Sequence, residues 1–286
     1  MRLVHHMAVL SGEHPRNSIA AIRECFEAGV ERVEIDVHSL DGPDYIVSHD
    51  RRLQDRTTGA GALGSATPGE VRACRFRDRP DDRPPLLSEV VELARDSTTE
   101  IQLDLKDWRA MTGERIRALD DLVAPIRDRL IVSSGQDWNL LRLRDAAPQI
   151  AIGFDPGYYI AHPAEDPNAP LPRTCSAYGY LDDHPLGYGR ASDTASYLRD
   201  RFALLLLQAP GSREYFLSYR LALMMLDDGF NAAEFLHGRG IDANVWTPDY
   251  AGPASVAPIA RLIDAGFDRV TTNTPLAWVR AFARET

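Results

Sequence analysis

Polar and apolar residues alternate strictly in several short runs of the chain. If residues 32–38 form a strand, Glu34, Asp36 and His38 share one face and apolar side chains cover the other, because residues i and i+2 of a strand point the same way. Two neighbouring carboxylates on one face repel each other unless a cation lies between them. This run by itself is equally compatible with a metal site and with an edge strand that has one solvated face.

A second alternating run, residues 100–106, places Gln102, Asp104 and Lys106 on one face. The strands predicted along the chain are 3–10, 32–38, 45–48, 100–106, 129–133, 150–154, 214–219, 242–246 and 269–272. Apolar residues at helical spacing predict helices at 17–28, 87–94, 114–126, 138–145, 192–207, 221–237, 255–265 and 276–282. The helix at 221–237 is expected to be interrupted near Gly229, and residues 204–207 taken alone are also compatible with a strand.

About eight strands that alternate with helices favour a (β/α)8 TIM barrel over an open, doubly wound sheet. We expect one barrel domain over residues 1–286, with a small insertion after the second strand. The insertion is the irregular segment 51–82, and a long loop is predicted at 155–189, where Pro, Gly and Tyr are frequent. The glycine-rich loop of a dinucleotide-binding fold does not follow the first strand.

Composition and charge narrow the class of partner. The net charge of -10 argues against a nucleic-acid partner, and no apolar run approaches the roughly 20 residues that a membrane span needs. Three cysteines without metal-like spacing favour reduced thiols, and the N-terminus lacks a signal-peptide pattern. The expectation is a cytoplasmic protein that acts on a small molecule and does not insert stably into a membrane. An acidic protein that handles an anionic ligand must create positive potential locally, from a metal or a few basic side chains.

Chemistry-bearing residues collect at one end of the predicted barrel. In such a barrel the active site lies at the carboxyl ends of the strands. The polar residues expected there are His6, Glu34, Asp36, His38, Asp104, Lys106, Ser133, Ser134, Trp246 and Thr247. Each residue has an ordinary structural explanation on its own, and Trp246 suits the core as well as a pocket wall. The set as a whole indicates an active site.

In this arrangement the sequence resembles the glycerophosphodiester phosphodiesterase family, within the phosphatidylinositol-phospholipase-C-like superfamily, whose members have a (β/α)8 barrel. The resemblance spans nearly the whole chain in order. The segments that carry it are His6-Met7, Pro15-Arg16-Asn17-Ser18, Glu34-Ile35-Asp36, His49-Asp50, Thr57-Thr58-Gly59-Ala60-Gly61, Pro85-Leu86-Leu87, Asp104-Leu105-Lys106, Val132-Ser133-Ser134, Trp246-Thr247 and Thr271-Thr272-Asn273-Thr274-Pro275.

Four positions depart from the family pattern. Met7 stands where the family has a phosphate-binding Arg, and Asp104 replaces a Glu. Arg16 stands in place of a Glu, and Asn273 in place of an Asp. The His-Met pair is similar to that of the sphingomyelinase D-like phospholipases D.

The resemblance implies metal-dependent hydrolysis of glycerophosphodiesters or similar phosphodiesters. Carboxylate oxygens suit one divalent cation of the hard type, Mg²⁺ or Ca²⁺. The implied site residues are His6 and His49 as catalytic acid and base in either order, Glu34, Asp36 and Asp104 as metal ligands, and Lys106 and Trp246 as substrate-binding residues. The attacking oxygen belongs either to water or to a hydroxyl of the substrate itself.

Two other functions remain open at this point. One is a sphingomyelinase D/phospholipase D-like enzyme that acts on lysophospholipids, which an exposed apolar rim around the site would favour. The other is a catalytically impaired barrel that only binds a phosphorylated ligand. Met7 is the strongest argument for the impaired barrel, and the retention of both histidines, three carboxylates and a lysine argues against it.

Overall fold

A computed structural model describes residues 1–160 and 193–283 of the chain. Its strands are β1 (Arg2–His5), β2 (Arg32–Ser39), β3 (Tyr45–Val47), β4 (Glu100–Leu105), β5 (Leu130–Ser134), β6 (Ala151–Phe154), β7 (Glu214–Ser218), β8 (Asp242–Trp246) and β9 (Arg269–Thr272). Its helices are α1 (Ile19–Glu27), α2 (Pro68–Ala73), α3 (Leu87–Ala94), α4 (Gly113–Val123), α5 (Asp137–Ala146), α6 (Thr194–Gln208), α7 (Tyr219–Asp227), α8 (Ala232–His237), α9 (Val256–Asp264) and α10 (Pro275–Phe282).

Eight parallel strands close a barrel, as the alternation of strands and helices predicts. Each strand pairs with the next in the order β1, β2, β4, β5, β6, β7, β8 and β9, and β9 pairs with β1. Strand β3 lies outside this ring and pairs antiparallel with β2. Helices connect the barrel strands, and the (β/α)8 TIM barrel is therefore confirmed.

The polar face of β2 points into the barrel and not into solvent. All eight residues of β2 are buried. Val33, Ile35 and Val37 belong to the main apolar core, which lies between the strands and the surrounding helices. Glu34 and Asp36 therefore face the barrel interior, where water is scarce. A solvated edge strand is excluded for this run.

The amino-terminal end of the barrel is filled by ion pairs. Arg32 Nη1 lies 2.6 Å from Glu214 Oε2, and Arg269 Nη1 lies 3.5 Å from Glu214 Oε1. All three side chains are buried, and Arg32 Nε also donates to Glu100 at 3.0 Å. Charges this deeply buried are tolerated because each has a partner. The buried carboxylates Glu34 and Asp36 lie farther along β2, toward the opposite, carboxyl end of the barrel.

The first strand is shorter than its apolar run predicts. Residues 3–10 were expected to be one strand, but β1 ends at His5 and a 3-10 turn follows at His6–Ala8. Met7 and Ala8 adopt positive φ angles of 50° and 57°, which a strand does not allow. The prediction was wrong here because apolar residues in a buried turn give the same pattern as apolar residues in a strand.

The insertion after the β2–β3 hairpin is more regular than expected. Segment 51–82 contains α2, which begins with a capping box between Thr67 and Glu70. Its buried side chains, such as Leu63 and Val71, form a small apolar cluster with Leu40, Ile46 and Leu86 from outside the segment. Of the predicted loop 155–189, the structure describes residues 155–160, which include a 3-10 turn at Pro156–Tyr158. The remainder of that loop lies outside the described residues.

No helix among the residues that the structure describes is long and apolar enough to cross a bilayer. The extent of the domain and the cytoplasmic location stay predictions.

Candidate active site

Three carboxylates meet inside the carboxyl end of the barrel. Glu34 and Asp36 point inward from β2, and Asp104 points inward from the neighbouring strand β4, where it pairs in register with Asp36. One oxygen from each lies within 4.8 Å of the others. We call Glu34, Asp36 and Asp104 the carboxylate cluster. Its spacing is suitable for one cation bound between the three side chains.

Lys106 is the positive group beside the carboxylate cluster. Its Nζ lies 2.5 Å from Asp104 Oδ2 and 3.0 Å from Asp36 Oδ1. Burial by itself would lower the pKa of Lys106, but the three carboxylates outweigh burial and hold that pKa above its usual value. One ammonium group against three carboxylates leaves an excess of negative charge when all of them are ionised.

The pKa values within the carboxylate cluster show the effect of this excess. Burial, with the nearby Asp36 and Asp104 charges, raises the pKa of Glu34 well above its usual value. Burial also acts on Asp36, but Lys106 lowers the pKa of that group below its usual value. Lys106 therefore stabilises the negative charge of Asp36 more than that of Glu34. In addition, Glu34 Oε1 is buried without a hydrogen-bond partner among the described residues, as expected for a ligand atom that faces a cation.

The backbone of the first βα turn holds Glu34. The N–H of Met7 donates to Glu34 Oε2 at 2.8 Å, and the positive φ of Met7 belongs to the turn that presents this N–H. The Met7 side chain is buried, and it is not among the residues that line the cavity described below. Met7 therefore acts on the site through its backbone. The Met7 side chain does not replace the phosphate-binding Arg that the family pattern has at this position.

His6 is oriented by a chain of hydrogen bonds from the other end of the sequence. Asn273 donates through Nδ2 to Asp249 Oδ2 at 3.0 Å, and this assigns the amide so that its Oδ1 faces His6 Nδ1 at 2.9 Å. Nδ1 of His6 must then carry the proton, because Asn273 Oδ1 only accepts. Nε2 of His6 keeps its lone pair and lies 3.8 Å from Glu34 Oε2, at the carboxylate cluster.

His49 lines the same end of the barrel, on the loop after β3. The N–H of Ser48 donates to the carbonyl oxygen of Asp36 at 2.9 Å, and this bond holds the loop against the end of β2. The His49 side chain is about half exposed, and Asp50 is its nearest acidic neighbour at 3.5 Å. His49 lowers the pKa of Asp36, which shows that its ring is within electrostatic reach of the carboxylate cluster.

A cavity of about 240 Å³ connects these groups. It is lined by His6, Glu34, His49, Gln102, Asp104, Lys106, Ser133, Asp155, Phe216, Trp246, Thr247 and Thr271. Gly153 makes room for one wall, because a Cβ at this position would lie 2.5 Å from the ring of Phe216. Six of the seven predicted site residues line the cavity. The seventh, Asp36, lies beneath its floor as a fully buried member of the carboxylate cluster.

The other candidate histidines do not reach the cavity. His5 is buried, and its Nδ1 bonds to the carbonyl oxygen of Val9 at 2.9 Å. His38 is buried beside Asp107 and the backbone of His49, and burial lowers its pKa. Of the adjacent pair His5 and His6, only His6 lines the cavity, from the 3-10 turn that follows β1.

Comparison with known proteins agrees with this geometry. The model of the glycerophosphoryl diester phosphodiesterase family matches residues 10–277. The chain belongs to this family. The family resemblance read from the motifs is thereby confirmed.

Curated relatives match part of the chain. A glycerophosphodiester phosphodiesterase of Caldanaerobacter subterraneus subsp. tengcongensis is 26% identical over 149 residues, which cover 49% of this chain and 60% of that protein. A human lysophospholipase D is 31% identical over 109 residues, which cover 34% of this chain and 33% of that protein. The chain thus spans less than two thirds of the length of either relative.

Solved structures share the fold over almost the full length. An Oleispira antarctica phosphodiesterase, determined in complex with its product sn-glycerol-3-phosphate, has a TM-score of 0.69 at 16% identity and covers 99% of this chain and 97% of its own. A glycerophosphodiester phosphodiesterase of Thermotoga maritima has a TM-score of 0.61 at 21% identity, with 98% of both chains covered. At these identities the likeness establishes the barrel.

The sequence analysis did not identify several residues that contact this site. Asn17 donates to Asp36 Oδ2 at 2.8 Å, and Asp249 and Asn273 orient His6. Asp155 follows directly after β6 and lines the cavity. Asn17 and Asn273 lie in segments that carry the family resemblance, but only the tertiary structure shows that they contact Asp36 and His6. The position of Asp155 in the sequence could have indicated that it belongs to the site, because a polar residue directly after a barrel strand lies at the active-site end.

Asn17 provides a test of the carboxylate cluster. Its φ of 60° suits Asn and Gly, so Asn17→Gly removes the contact to Asp36 without backbone strain. We expect the affinity for Mg²⁺ to fall about tenfold to a hundredfold, because a carboxylate ligand loses the bond that orients it. Titration calorimetry measures this change.

Ser18→Ala is the matched control for Asn17→Gly. Ser18 accepts a hydrogen bond from the N–H of Ala21 and caps α1 without touching Asp36. Its loss should lower the free energy of unfolding by about 1 kcal/mol and leave the affinity for Mg²⁺ unchanged. Equal Mg²⁺ affinity in Asn17→Gly and the wild type would contradict the assignment of Asp36 as a ligand held by Asn17.

Proposed function

We propose that the chain hydrolyses glycerophosphodiesters or similar small phosphodiesters, with one divalent cation, Mg²⁺ or Ca²⁺, held by the carboxylate cluster. The main support for this proposal is that three carboxylates and Lys106 lie together at a cavity that His6 and His49 also line. Family membership supports the reaction class. The size of the cavity, about 240 Å³, suits a small diester.

The residues of the carboxylate cluster fit a hard divalent cation. All three ligand groups are carboxylates, and Glu34 Oε1 is buried without a partner among the described residues. When bound, such a cation polarises a phosphoryl oxygen and offsets the negative charge that develops there. Lys106 adds a second positive charge on the same side of the cavity. With Met7 in place of the family Arg, Lys106 and the cation would together hold the phosphate.

We assign the base to His6 and the acid to His49. The hydrogen bond that His6 Nδ1–H donates to Asn273 Oδ1 leaves His6 Nε2 unprotonated, so this atom can take a proton from the attacking oxygen. His49 lines the same cavity and would donate a proton to the leaving alcohol. The attacking oxygen comes from water or from a hydroxyl of the substrate.

A panel of substrates tests the proposed function. We expect release of glycerol phosphate from glycerophosphocholine and glycerophosphoethanolamine when Mg²⁺ or Ca²⁺ is present. Hydrolysis of lysophosphatidylcholine is measured in parallel, below and above its critical micelle concentration. Binding of sn-glycerol 3-phosphate without hydrolysis of any diester in the panel would instead identify a catalytically impaired, phospho-ligand-binding barrel.

One observation favours the lysophospholipase D-like alternative. Trp108, Trp138 and Tyr158 are 55%, 38% and 52% exposed. Trp108 lies on the loop after β4, Trp138 in the first turn of α5 after β5, and Tyr158 in the 3-10 turn after β6, all at the active-site end of the barrel. Exposed aromatic side chains on one rim suit contact with a lipid interface. If this reading holds, hydrolysis of lysophosphatidylcholine rises sharply above its critical micelle concentration and exceeds that of glycerophosphocholine.

A further inference from the structure

A narrow, basic cleft adjoins the cavity at His49. Arg16, Arg52 and Arg56 line this cleft, and His49 lines both the cleft and the cavity of the carboxylate cluster. We call Arg16, Arg52 and Arg56 the arginine cluster. The cleft has a volume of only about 10 Å³, which is room for about one water molecule. A ligand group that meets the arginine cluster would therefore lie across the mouth of the cleft and not inside it.

The backbone holds Arg16 close to the carboxylate cluster. The next residue, Asn17, donates through its N–H to the carbonyl oxygen of Met7 at 2.9 Å and through Nδ2 to Asp36 Oδ2 at 2.8 Å. Arg16 itself is exposed, so its guanidinium group is accessible from solvent. The family pattern has a Glu at this position, and the exchange of a Glu for an Arg makes the local charge more positive by two.

Arg52 and Arg56 come from the loop that follows His49. Arg52 is exposed and directly precedes the 3-10 turn Leu53–Asp55. The guanidinium group of Arg56 lies over the ring of Phe76, 5.6 Å from the ring centroid. This cation–π contact restrains the guanidinium group without using its N–H donors. Those donors are therefore available to a ligand.

The positive charge of the arginine cluster has no bonded partner in the part of the chain that the structure describes. None of its three guanidinium groups is in an ion pair or a side-chain hydrogen bond there, whereas the nearby Arg83 pairs with Glu89 at 2.6 Å. Asp50 and Asp55 are the acidic residues of the same loop. Segment 51–82 has seven arginines and five acidic residues, so it is positive in a chain whose net charge is -10. A negatively charged ligand group is attracted to this part of the rim.

We propose that the arginine cluster binds an anionic group, a carboxylate or a phosphate, on the leaving alcohol of the diester. This inference rests on the proposed function, because His49 is assigned as the acid and the leaving alcohol must lie within hydrogen-bonding reach of it. The substituents of that alcohol then meet the cleft that His49 shares with the cavity. A guanidinium group suits this contact because its planar donors match a carboxylate or a phosphate.

The arginine cluster separates leaving alcohols by charge. The ammonium group of choline or ethanolamine is repelled by the arginines, whereas a head group that carries a carboxylate or a second phosphate is attracted. The preferred substrates are therefore glycerophosphodiesters with an anionic head group. Because Arg16 and Arg52 are exposed, each ion pair with the ligand is weaker than a buried pair and is screened by salt.

Two diesters that differ by one carboxylate test this assignment. Glycerophosphoserine is glycerophosphoethanolamine with a carboxylate added to the carbon that bears the amine. With Mg²⁺ at low ionic strength, we expect kcat/KM of the wild type to be about fivefold to thirtyfold higher for glycerophosphoserine, the size of two exposed ion pairs. In about 1 M salt, where charges are screened beyond about 3 Å, this preference should fall below about threefold.

Variants of the arginine cluster should remove the preference. In Arg16→Gln and in Arg56→Gln, the ratio of the two kcat/KM values should fall about threefold, and in the double variant to about twofold or less. Arg16→Lys keeps the charge and should keep most of the preference. Arg142→Gln removes the same charge from an exposed position of α5 and should keep the wild-type ratio. Thermal unfolding verifies that each variant is folded.

Binding gives a second measurement that does not need turnover. His6→Ala should hydrolyse the diesters at least about a hundredfold more slowly than the wild type, and its arginine cluster is intact. Titration calorimetry of His6→Ala with Mg²⁺ should therefore show tighter binding of glycerophosphoserine than of glycerophosphoethanolamine. Adding Arg16→Gln and Arg56→Gln to this variant should bring the two affinities to within about twofold.

The outcomes separate the anion site from the proposed function. Equal kcat/KM values for the two diesters, or an unchanged ratio in the double variant, would overturn the anion site and leave the proposed function standing. Tighter binding of glycerophosphoserine that depends on the arginine cluster, in a wild type that hydrolyses neither diester, would refute the proposed function and support the anion site. Failure of the wild type to bind or hydrolyse either diester would count against both.

Discussion

His6→Ala and His49→Ala should each lower the turnover of a glycerophosphodiester by at least about a hundredfold, the contribution of one positioned acid or base. His6 is prepared as a base because Asn273 accepts from its Nδ1–H and leaves Nε2 free at the carboxylate cluster. His49 lines the same cavity from the loop after β3. Steady-state kinetics with glycerophosphocholine, followed by release of glycerol phosphate, measures both effects.

The leaving group separates the two roles. A nitrophenolate leaves without a proton, so a nitrophenyl diester should rescue much of the loss in His49→Ala and little of the loss in His6→Ala. The reverse result would exchange acid and base. His237→Ala is the control, because His237 pairs with Asp268 at the amino-terminal end of the barrel and should retain wild-type turnover. Near-normal turnover in both cavity variants would rule out two-histidine catalysis.

Removal of divalent metal should abolish hydrolysis, and its return should restore it. Without a cation, the carboxylate cluster holds more negative charge than Lys106 neutralises, and a bound phosphodiester would add to the repulsion. We expect treatment with a chelator to leave less than about one part in a hundred of the activity, since a metal contributes several kcal/mol of charge stabilisation. Activity that survives complete removal of metal would refute the proposed role of the carboxylate cluster.

Stability gives a second measurement of the same site that is independent of turnover. Mg²⁺ at about a hundred times its dissociation constant should raise the free energy of unfolding of the wild type by about 2.7 kcal/mol. Glu34→Gln should lose most of this gain. Without metal, Glu34→Gln should be no less stable than the wild type, because it removes a buried charge that its neighbours oppose. A marked loss of stability in metal-free Glu34→Gln would contradict the electrostatic account of the carboxylate cluster.

The amino-acid sequence determined the barrel and most of the carboxylate cluster. Strict alternation in β2 and β4 assigned Glu34, Asp36 and Asp104 to one face of their strands, because side-chain direction in a strand is a local property. The sequence left open whether the polar face of β2 meets water or the barrel interior, since alternation is the same in both cases.

The alternation of polar and apolar residues gave a wrong prediction where the backbone departs from regular strand geometry. The run 3–10 looked like a strand throughout, but the chain turns at Met7, and this turn places an N–H on Glu34. The sequence analysis also considered Met7 only as the loss of a phosphate-binding side chain, whereas in the structure its backbone N–H donates to Glu34. Dihedral angles of single apolar residues are set by tertiary packing, so no periodicity reveals them.

Only the tertiary structure decided which distant residues act together. Asn273 and Asp249 reach His6 across 267 and more than 200 positions of sequence, and they fix the tautomer that a sequence cannot indicate. Asp155 and Trp246 meet because β6 and β8 end at the same mouth of the barrel. Residue type and alternation are local and therefore readable in the chain, whereas protonation, burial and unpaired hydrogen-bonding groups depend on what closure of the barrel brings into contact.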